Sequence, residues 1–204
     1  MEIAGIVLAA GGGSRYGGPK ALVRFGGELL VERACRMLAE GGCRPVTAVL
    51  GAGAAAVRAA APHLPSTVDN LAWASGIGSS LRAGLAAVPA GAEAVVVALA
   101  DEPLVGAAAV RRLIAAYGAS TELAAVVATY GGQQRNPVLL SRAVFAEVAA
   151  SAAGDRGARA WLRAHPERVA GVPCDDTGNA LDVDTPADLG AALAAALARA
   201  ERGE

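Results

Sequence analysis

The chain has 204 residues and a formal net charge of −1, with 54% hydrophobic but only 3% aromatic residues. That length suits one domain with a sizeable core, although alanine supplies 52 positions, so much of the apolar content is methyl groups. The near-neutral balance without basic runs excludes an electrostatic footprint for nucleic acid or a membrane surface, and no stretch reaches the roughly 18 to 20 uninterrupted apolar residues of a spanning helix.

In chain order, short apolar runs alternate with longer alanine-rich stretches of helical period. The first ten residues are apolar, lack a positive leader and run into glycines, so they read as a strand over 3–9 and not as a secretion signal; a cytoplasmic location is expected. Next come a helix at 29–40, a strand at 46–50, a helix at 54–61, a strand at 66–68 and a helix at 77–88. A strand at 94–99, a helix at 107–117, a strand at 123–129, helices at 142–150 and 156–164 and a strand at 169–174 follow. A last helix runs from Pro186 to about Glu201, with Thr185 as its N-cap and proline at its first position. The runs at 3–9 and 94–99 are apolar without alternation, as in parallel strands covered on both faces. The fold class is therefore α/β: a three-layer α/β/α, open, mainly parallel, Rossmann-like sheet, whose ligands belong beyond the carboxyl ends of its strands. No linker and no repeat interrupts it, so one domain over 1–204 is expected.

Three cysteines, Cys35, Cys43 and Cys174, are odd in number and unpaired by any CxxC spacing, and His63 and His165 lie far from them, which supports neither a disulfide framework nor a zinc site. The basic residues are more telling: of 18, seventeen are arginine and one, Lys20, is lysine.

Lys20 closes a glycine-dense loop. The first strand ends in Leu8-Ala9-Ala10-Gly11-Gly12-Gly13-Ser14-Arg15-Tyr16-Gly17-Gly18-Pro19-Lys20. Such a loop leaves backbone N–H groups free to face an anion and adds two cations, which suits a polyphosphate. The dinucleotide fingerprint GxGxxG fails, because Tyr16 stands where the third small residue belongs. The Walker A pattern also fails, since Pro19 separates Gly18 from Lys20 and Ala21 stands where a hydroxyl must hold Mg²⁺.

The loop resembles the signature L-A-A-G-x-S-x-R-x-G-x-x-K of nucleotidyltransferases with a GT-A-like (nucleotide-diphospho-sugar transferase) fold, with one extra glycine before the serine. Within that group the chain resembles molybdenum cofactor cytidylyltransferases, close to the guanylyltransferases of the same cofactor. The resemblance continues through NLAWASGIGSSLRAGL (70–85), ALADEPLV (98–105), RNPVLL (135–140), GDRGARAWL (154–162) and DVDTPADL (182–189). It implies a nucleotide-binding half at about 1–105, an acceptor-binding half at about 106–204, and a Mg²⁺-dependent transfer of a nucleoside monophosphate onto a phosphate of a small molecule. CTP is the expected donor, molybdopterin or a related phosphate the expected acceptor, and a molybdoenzyme or its maturation factor the implied protein partner. An acceptor phosphate is already an anion, so the chemistry needs alignment and charge neutralisation more than a strong base.

By resemblance, Arg15, Lys20 and Asp101 are catalytic, with Lys20 on the phosphate under attack, and Asp101 holds the Mg²⁺ with Asp184 or Asp182. Mg²⁺ suits one or two carboxylates plus substrate phosphates. The plainer alternatives are solvated loop cations and aspartates that cap the helix at Pro186. A lone lysine falling on the motif position by chance would happen once in 18 basic positions, and a compact ammonium is not interchangeable with a guanidinium in a crowded site. Where the family often has glutamine, this chain has Glu102. Nucleotide binding is expected from Leu8, Ala9, Ala10, Gly11, Gly12, Gly13, Ser14, Asn70, Gly76, Ser79 and Ser80. In cytidylyltransferases of this fold the segment like Gly78 to Leu85 reads the pyrimidine, and the Gly-Pro-Leu expected of the guanylyl branch is absent; the serines could equally satisfy backbone groups of an early helix. The acceptor is expected on loops bearing Asn136, Asp155, Arg156 and Arg159. Trp73 and Trp161 either stack on a planar ring or pack. A GTP-using or sugar-phosphate transferase, and a binding module without turnover, are the rival readings; two carboxylates at the metal position speak against the module.

Overall fold

The computed structural model describes residues 1–120 and 122–201. Strand β1 (Ile3–Ala9) leads through the glycine loop to a small hairpin, β2 (Arg24–Phe25) and β3 (Glu28–Leu29), and then α1 (Leu30–Glu40). There follow β4 (Val46–Leu50), α2 (Ala54–Ala60), β5 (Thr67–Asp69), α3 (Ile77–Ala86), β6 (Ala94–Leu99) and α4 (Ala107–Gly118). The second half holds β7 (Ala125–Tyr130), β8 (Gln133–Ser141), α5 (Phe145–Ser151), α6 (Arg159–Ala164), β9 (Val169–Pro173) and α7 (Pro186–Glu201).

The seven longer strands form one sheet in the order β5-β4-β1-β6-β8-β7-β9. Every neighbouring pair is parallel except those of β8, which runs antiparallel to both β6 and β7. All seven residues of β1 are buried, and alternate side chains serve opposite faces. Ile3, Val7 and Ala9 pack with Leu38, Val57, Val110 and Leu113 from α1, α2 and α4. Ala4, Ile6 and Leu8 pack with Leu81, Leu85, Val148 and Leu162 from α3, α5 and α6. This division makes the three layers. A third, smaller cluster joins the hairpin to the last helix through Val23, Phe25, Leu30, Val183 and Ala192.

The expected strands and helices are present, with shifted ends, and three local readings need correction. The segment holding Asn136 is strand β8, not a loop. Its first residues, Gln133 to Arg135, are polar and exposed, so the run lacks apolar alternation, and Pro137 argues against a strand on sequence grounds. The structure accommodates the proline at an irregularity: the register with β7 passes from Val127↔Val138 to Ala128↔Arg135, leaving Asn136 and Pro137 out of the ladder. The helices expected from 142 and 156 begin later, after single 3-10 turns at Arg142–Val144 and Gly154–Arg156. The hairpin at 24–29 went unanticipated, since its strands are two residues each.

The sheet order sends the ends of β1, β5, β6 and β9 and the start of β8 to one edge, where the glycine loop and Asp101 also lie. Among the described residues no helix is long and apolar enough to cross a membrane.

A candidate nucleotide site and an adjoining acceptor cleft

Two clefts open at this edge and share Leu8, Ile77, Leu99 and Asp155. The first, about 480 Å³, is lined by the loop from Leu8 to Arg15, by Lys20, Trp73, Gly76 and Ser80, and by Asp101 and Asp184.

The loop is tied to itself at one point. The N–H groups of Tyr16, Gly17 and Gly18 all donate to the Gly13 carbonyl, at 2.9, 2.9 and 3.2 Å. Gly13 has φ of 60°, and a Cβ there would sit 2.0 Å from the Gly18 oxygen, so only glycine fits. The amides of Gly11 to Arg15 have no acceptor among the described residues, which leaves a run of donors at the mouth of the cleft, the arrangement that binds a phosphate chain.

The charged centre is built from three distant parts of the chain. Lys20 Nζ donates to Asp101 Oδ2 and, at 2.8 Å, to Asp184 Oδ1. Burial works against the ammonium, but the adjacent Asp101 and Asp184 carboxylates outweigh it, and the Lys20 pKa is held above its ordinary value. Arg15 Nη2 lies 2.9 Å from Asp184 Oδ2, with its side chain largely in solvent.

Backbone pairing brings the two aspartates together: Ala100 N–H donates to Leu8 O at 3.1 Å, and Val183 N–H donates to Asp101 O at 2.8 Å. Val183 is fully buried and anchors the segment before the last helix. Capping of that helix falls to other residues. Thr185 N–H donates to Asp188 Oδ2 at 2.7 Å and Asp188 N–H returns to Thr185 Oγ1 at 3.3 Å, a reciprocal capping box. The Asp184 carboxylate is thereby free to face Lys20. Asp182 is exposed and lines neither cleft.

One ammonium in contact with both Asp101 and Asp184 marks a point where a cation meets two carboxylate oxygens. A hard divalent cation fits this donor set. Among the described residues no group of three or more potential metal-ligating side chains occurs, so a cation held here would draw its remaining oxygens from phosphate and water.

Beside this centre Glu102 is buried, and burial, followed by the charge of Asp182, pushes its pKa up to about 8. It is protonated at neutral pH, a shape close to glutamine. Asn136 Nδ2 donates to its Oε1 at 3.3 Å.

Of the residues expected to bind nucleotide, Asn70 and Ser79 stand behind the wall and not in it. Ser79 Oγ–H serves the carbonyls of Gly76 at 2.8 Å and Ala72 at 3.0 Å, the helix-start role; Ser80 faces the cleft. Trp73 lines the same cleft with its ring against Gly12. Trp161 packs: it is 2% exposed, stacks on His165 and donates from Nε1 to Glu147 at 2.9 Å.

The second cleft, about 500 Å³, has a floor of Leu81, Val97, Val127, Val138 and Leu162 and contains all four expected acceptor residues, Asn136, Asp155, Arg156 and Arg159. It adds Arg135 and Arg163, which sequence reasoning missed. Arg163 lies one helical turn after Arg159, a spacing that puts both on one face; Arg135 belongs to the unrecognised strand. The side chains of Arg156, Arg159 and Arg163 have no partner among the described residues, leaving three cations around an apolar basin.

Comparisons with known proteins agree with this fold. The family model described as MobA-like NTP transferase domain matches residues 5–169. Nicotine blue oxidoreductase of Paenarthrobacter nicotinovorans is 38% identical over 189 residues, which cover 90% of this chain and 92% of the relative. The crystal structure of Rv0371c from Mycobacterium tuberculosis H37Rv is 30% identical, with a TM-score of 0.82 over 95% of this chain and 99% of that one. The same protein has been solved in complex with manganese, at a TM-score of 0.78 over the same shares and at the same identity. Molybdopterin-guanine dinucleotide biosynthesis protein A from Archaeoglobus fulgidus, 17% identical, shares the fold at a TM-score of 0.67 over 96% of this chain and 98% of its own.

Proposed function

The chain belongs to the MobA-like NTP transferase family, a family of nucleotidyltransferases, and from that premise we propose that it is a Mg²⁺-dependent cytidylyltransferase acting on a phosphate of a small molecule of the molybdopterin type. The observation that carries this reading is the Lys20 ammonium, in contact with both Asp101 and Asp184 at the mouth of an amide-lined loop. The triphosphate of CTP lies along the free amides from Gly11 to Arg15, with Arg15 and Lys20 neutralising its charge. An oxygen of the acceptor phosphate attacks the α-phosphorus, the bond from that phosphorus to the bridging oxygen of the β-phosphate breaks, and pyrophosphate leaves. The acceptor oxygen carries no proton that must be removed, so the site's work is to align two polyanions and offset charge at the α-phosphate. Asp101 and Asp184 would hold the Mg²⁺, which supplies further charge neutralisation when bound; the manganese complex of Rv0371c supports a divalent cation in this fold. Arg135, Arg156, Arg159 and Arg163 surround an apolar floor suited to a flat acceptor with more than one anionic group.

Incubation with Mg²⁺, each of the four nucleoside triphosphates and phosphorylated acceptors, followed by mass spectrometry, tests this. A cytidylylated acceptor with stoichiometric pyrophosphate is expected; no adduct with any nucleotide and acceptor would overturn it.

A second reading comes from the curated relative, whose name is that of an oxidoreductase. Here the first cleft would take the diphosphate of an electron-carrying dinucleotide and the second a planar substrate. Oxidation of a reduced nicotinamide cofactor in the presence of a quinonoid dye, independent of divalent metal and without pyrophosphate release, would favour that reading.

A further inference from the structure

Asn70 follows β5 and is 5% exposed, behind the wall of the nucleotide cleft. The backbone N–H of Ala72 donates to its Oδ1 at 3.0 Å, which settles which way the amide faces. Its Nδ2 then donates to Ser79 Oγ at 2.8 Å and to Ser80 Oγ at 3.0 Å. An amide nitrogen donates only, so both serine oxygens accept, and each hydroxyl keeps one hydrogen to place elsewhere. Ser79 places its hydrogen on the Gly76 and Ala72 carbonyls. Ser80 has no acceptor for its own among the described residues, is 5% exposed and lines the cleft.

A serine hydroxyl is normally indifferent, donating or accepting as its neighbour requires. Backed by the Asn70 amide, this one must direct its O–H into the cleft. A base that offers an acceptor completes the network; one that offers an N–H leaves a buried hydrogen unpaired, and an unpaired buried polar group is the more costly outcome. Set against ring position 3, that O–H meets an acceptor in cytosine (N3) but an N–H in uracil, and against guanine N1 it likewise meets an N–H; O2 is common to both pyrimidines and does not discriminate. We propose that Asn70 is a positioning residue that fixes the polarity of the Ser80 hydroxyl, so that the site selects cytosine over uracil and guanine. This inference rests on the cytidylyl reading above and names how its base is chosen.

The test is the ratio of dissociation constants for CTP, UTP and GTP, measured by calorimetry with Mg²⁺ on the full chain. Asn70→Asp puts an acceptor where the amide donated, so the Ser80 hydrogen turns back toward it and lone pairs face the cleft; the CTP-over-UTP preference is expected to fall at least tenfold. Asn70→Ala, which adds no charge, should lower the preference less and in the same direction. Ser80→Ala should abolish the preference, and adding Asn70→Asp on that background should leave the ratio where it is, because the hydroxyl through which Asn70 acts is gone. A purely structural role for Asn70 predicts equal weakening of all three nucleotides, and that result would overturn the proposal, as would an unchanged ratio in every Asn70 variant. Wild-type protein that binds CTP no tighter than UTP or GTP would instead overturn the cytidylyl reading and the polarity argument together, so the two failures are distinguishable.

Discussion

The two clefts that meet at Leu8 and Leu99 offer positive charge and N–H donors by opposite means. The first uses fixed groups: the amides of Gly11 to Arg15, and an ammonium pinned between Asp101 and Asp184. The second uses long arginine side chains over an apolar floor, of which Arg156, Arg159 and Arg163 have no partner among the described residues. Fixed dipoles need no reorganisation when charge develops at a phosphorus, which is what a reaction at the α-phosphate needs. Planar guanidinium forks on long stems suit two-point contact with carboxylate or phosphate groups. On the proposed function, one cleft would serve the chemistry and the other the choice of acceptor.

If that division is correct, the largest effect belongs to the fixed cleft. Asp101→Asn removes the carboxylate closest to Lys20, and turnover measured as pyrophosphate release should fall by about 10²–10³, with the melting temperature near that of wild type. A loss below tenfold would break the comparison.

The arginines should act differently. Arg156→Ala and Arg159→Ala should each lower kcat/KM for the acceptor by about tenfold or more, as expected for loss of a charged hydrogen bond, while leaving the KM for nucleotide unchanged. An equal rise in the nucleotide KM would mean that the clefts do not divide the labour.

The first cleft was largely legible in the sequence because much of its lining is contiguous: the loop from Leu8 to Lys20 is one motif, and glycine density signals backbone approach. Asp184 was half legible. Its partner role depends on the bond from Val183 N–H to Asp101 O and on a capping box that occupies Asp188, and no periodicity reveals either. The second cleft was legible only where the family motif ran through it. Arg135 was missed because β8 starts with exposed polar residues and carries Pro137 at an irregularity, the pattern of a loop. Asn70 and Ser79, expected to line the first cleft, stand behind its wall, and sequence spacing does not distinguish a wall from its backing.

The smallest effect sharpens the boundary between the clefts, where Glu102 stands. Its folded pKa, about 8, lies above the ordinary 4.5. The neutral carboxyl therefore stabilises fully at low pH, and its contribution is lost as pH rises from 4.5 toward about 8. Glu102→Gln removes that titration. Denaturant unfolding with a chelator present should show the variant gaining on wild type through this window, by at most about 1.4 kcal/mol per pH unit. A constant difference between the two proteins would mean that Glu102 is ionised throughout.

The central claim is that a single lysine, chosen over seventeen arginines, neutralises charge at the phosphorus under attack. The most direct measurement is the single-turnover rate of transfer from α-labelled CTP to the acceptor phosphate in Lys20→Arg, beside its melting temperature. The account predicts a rate lower by about 10² or more in a protein that is folded as well as wild type, because a planar guanidinium does not place its charge on the phosphate as a compact, rotatable ammonium does. Transfer at close to the wild-type rate would contradict it.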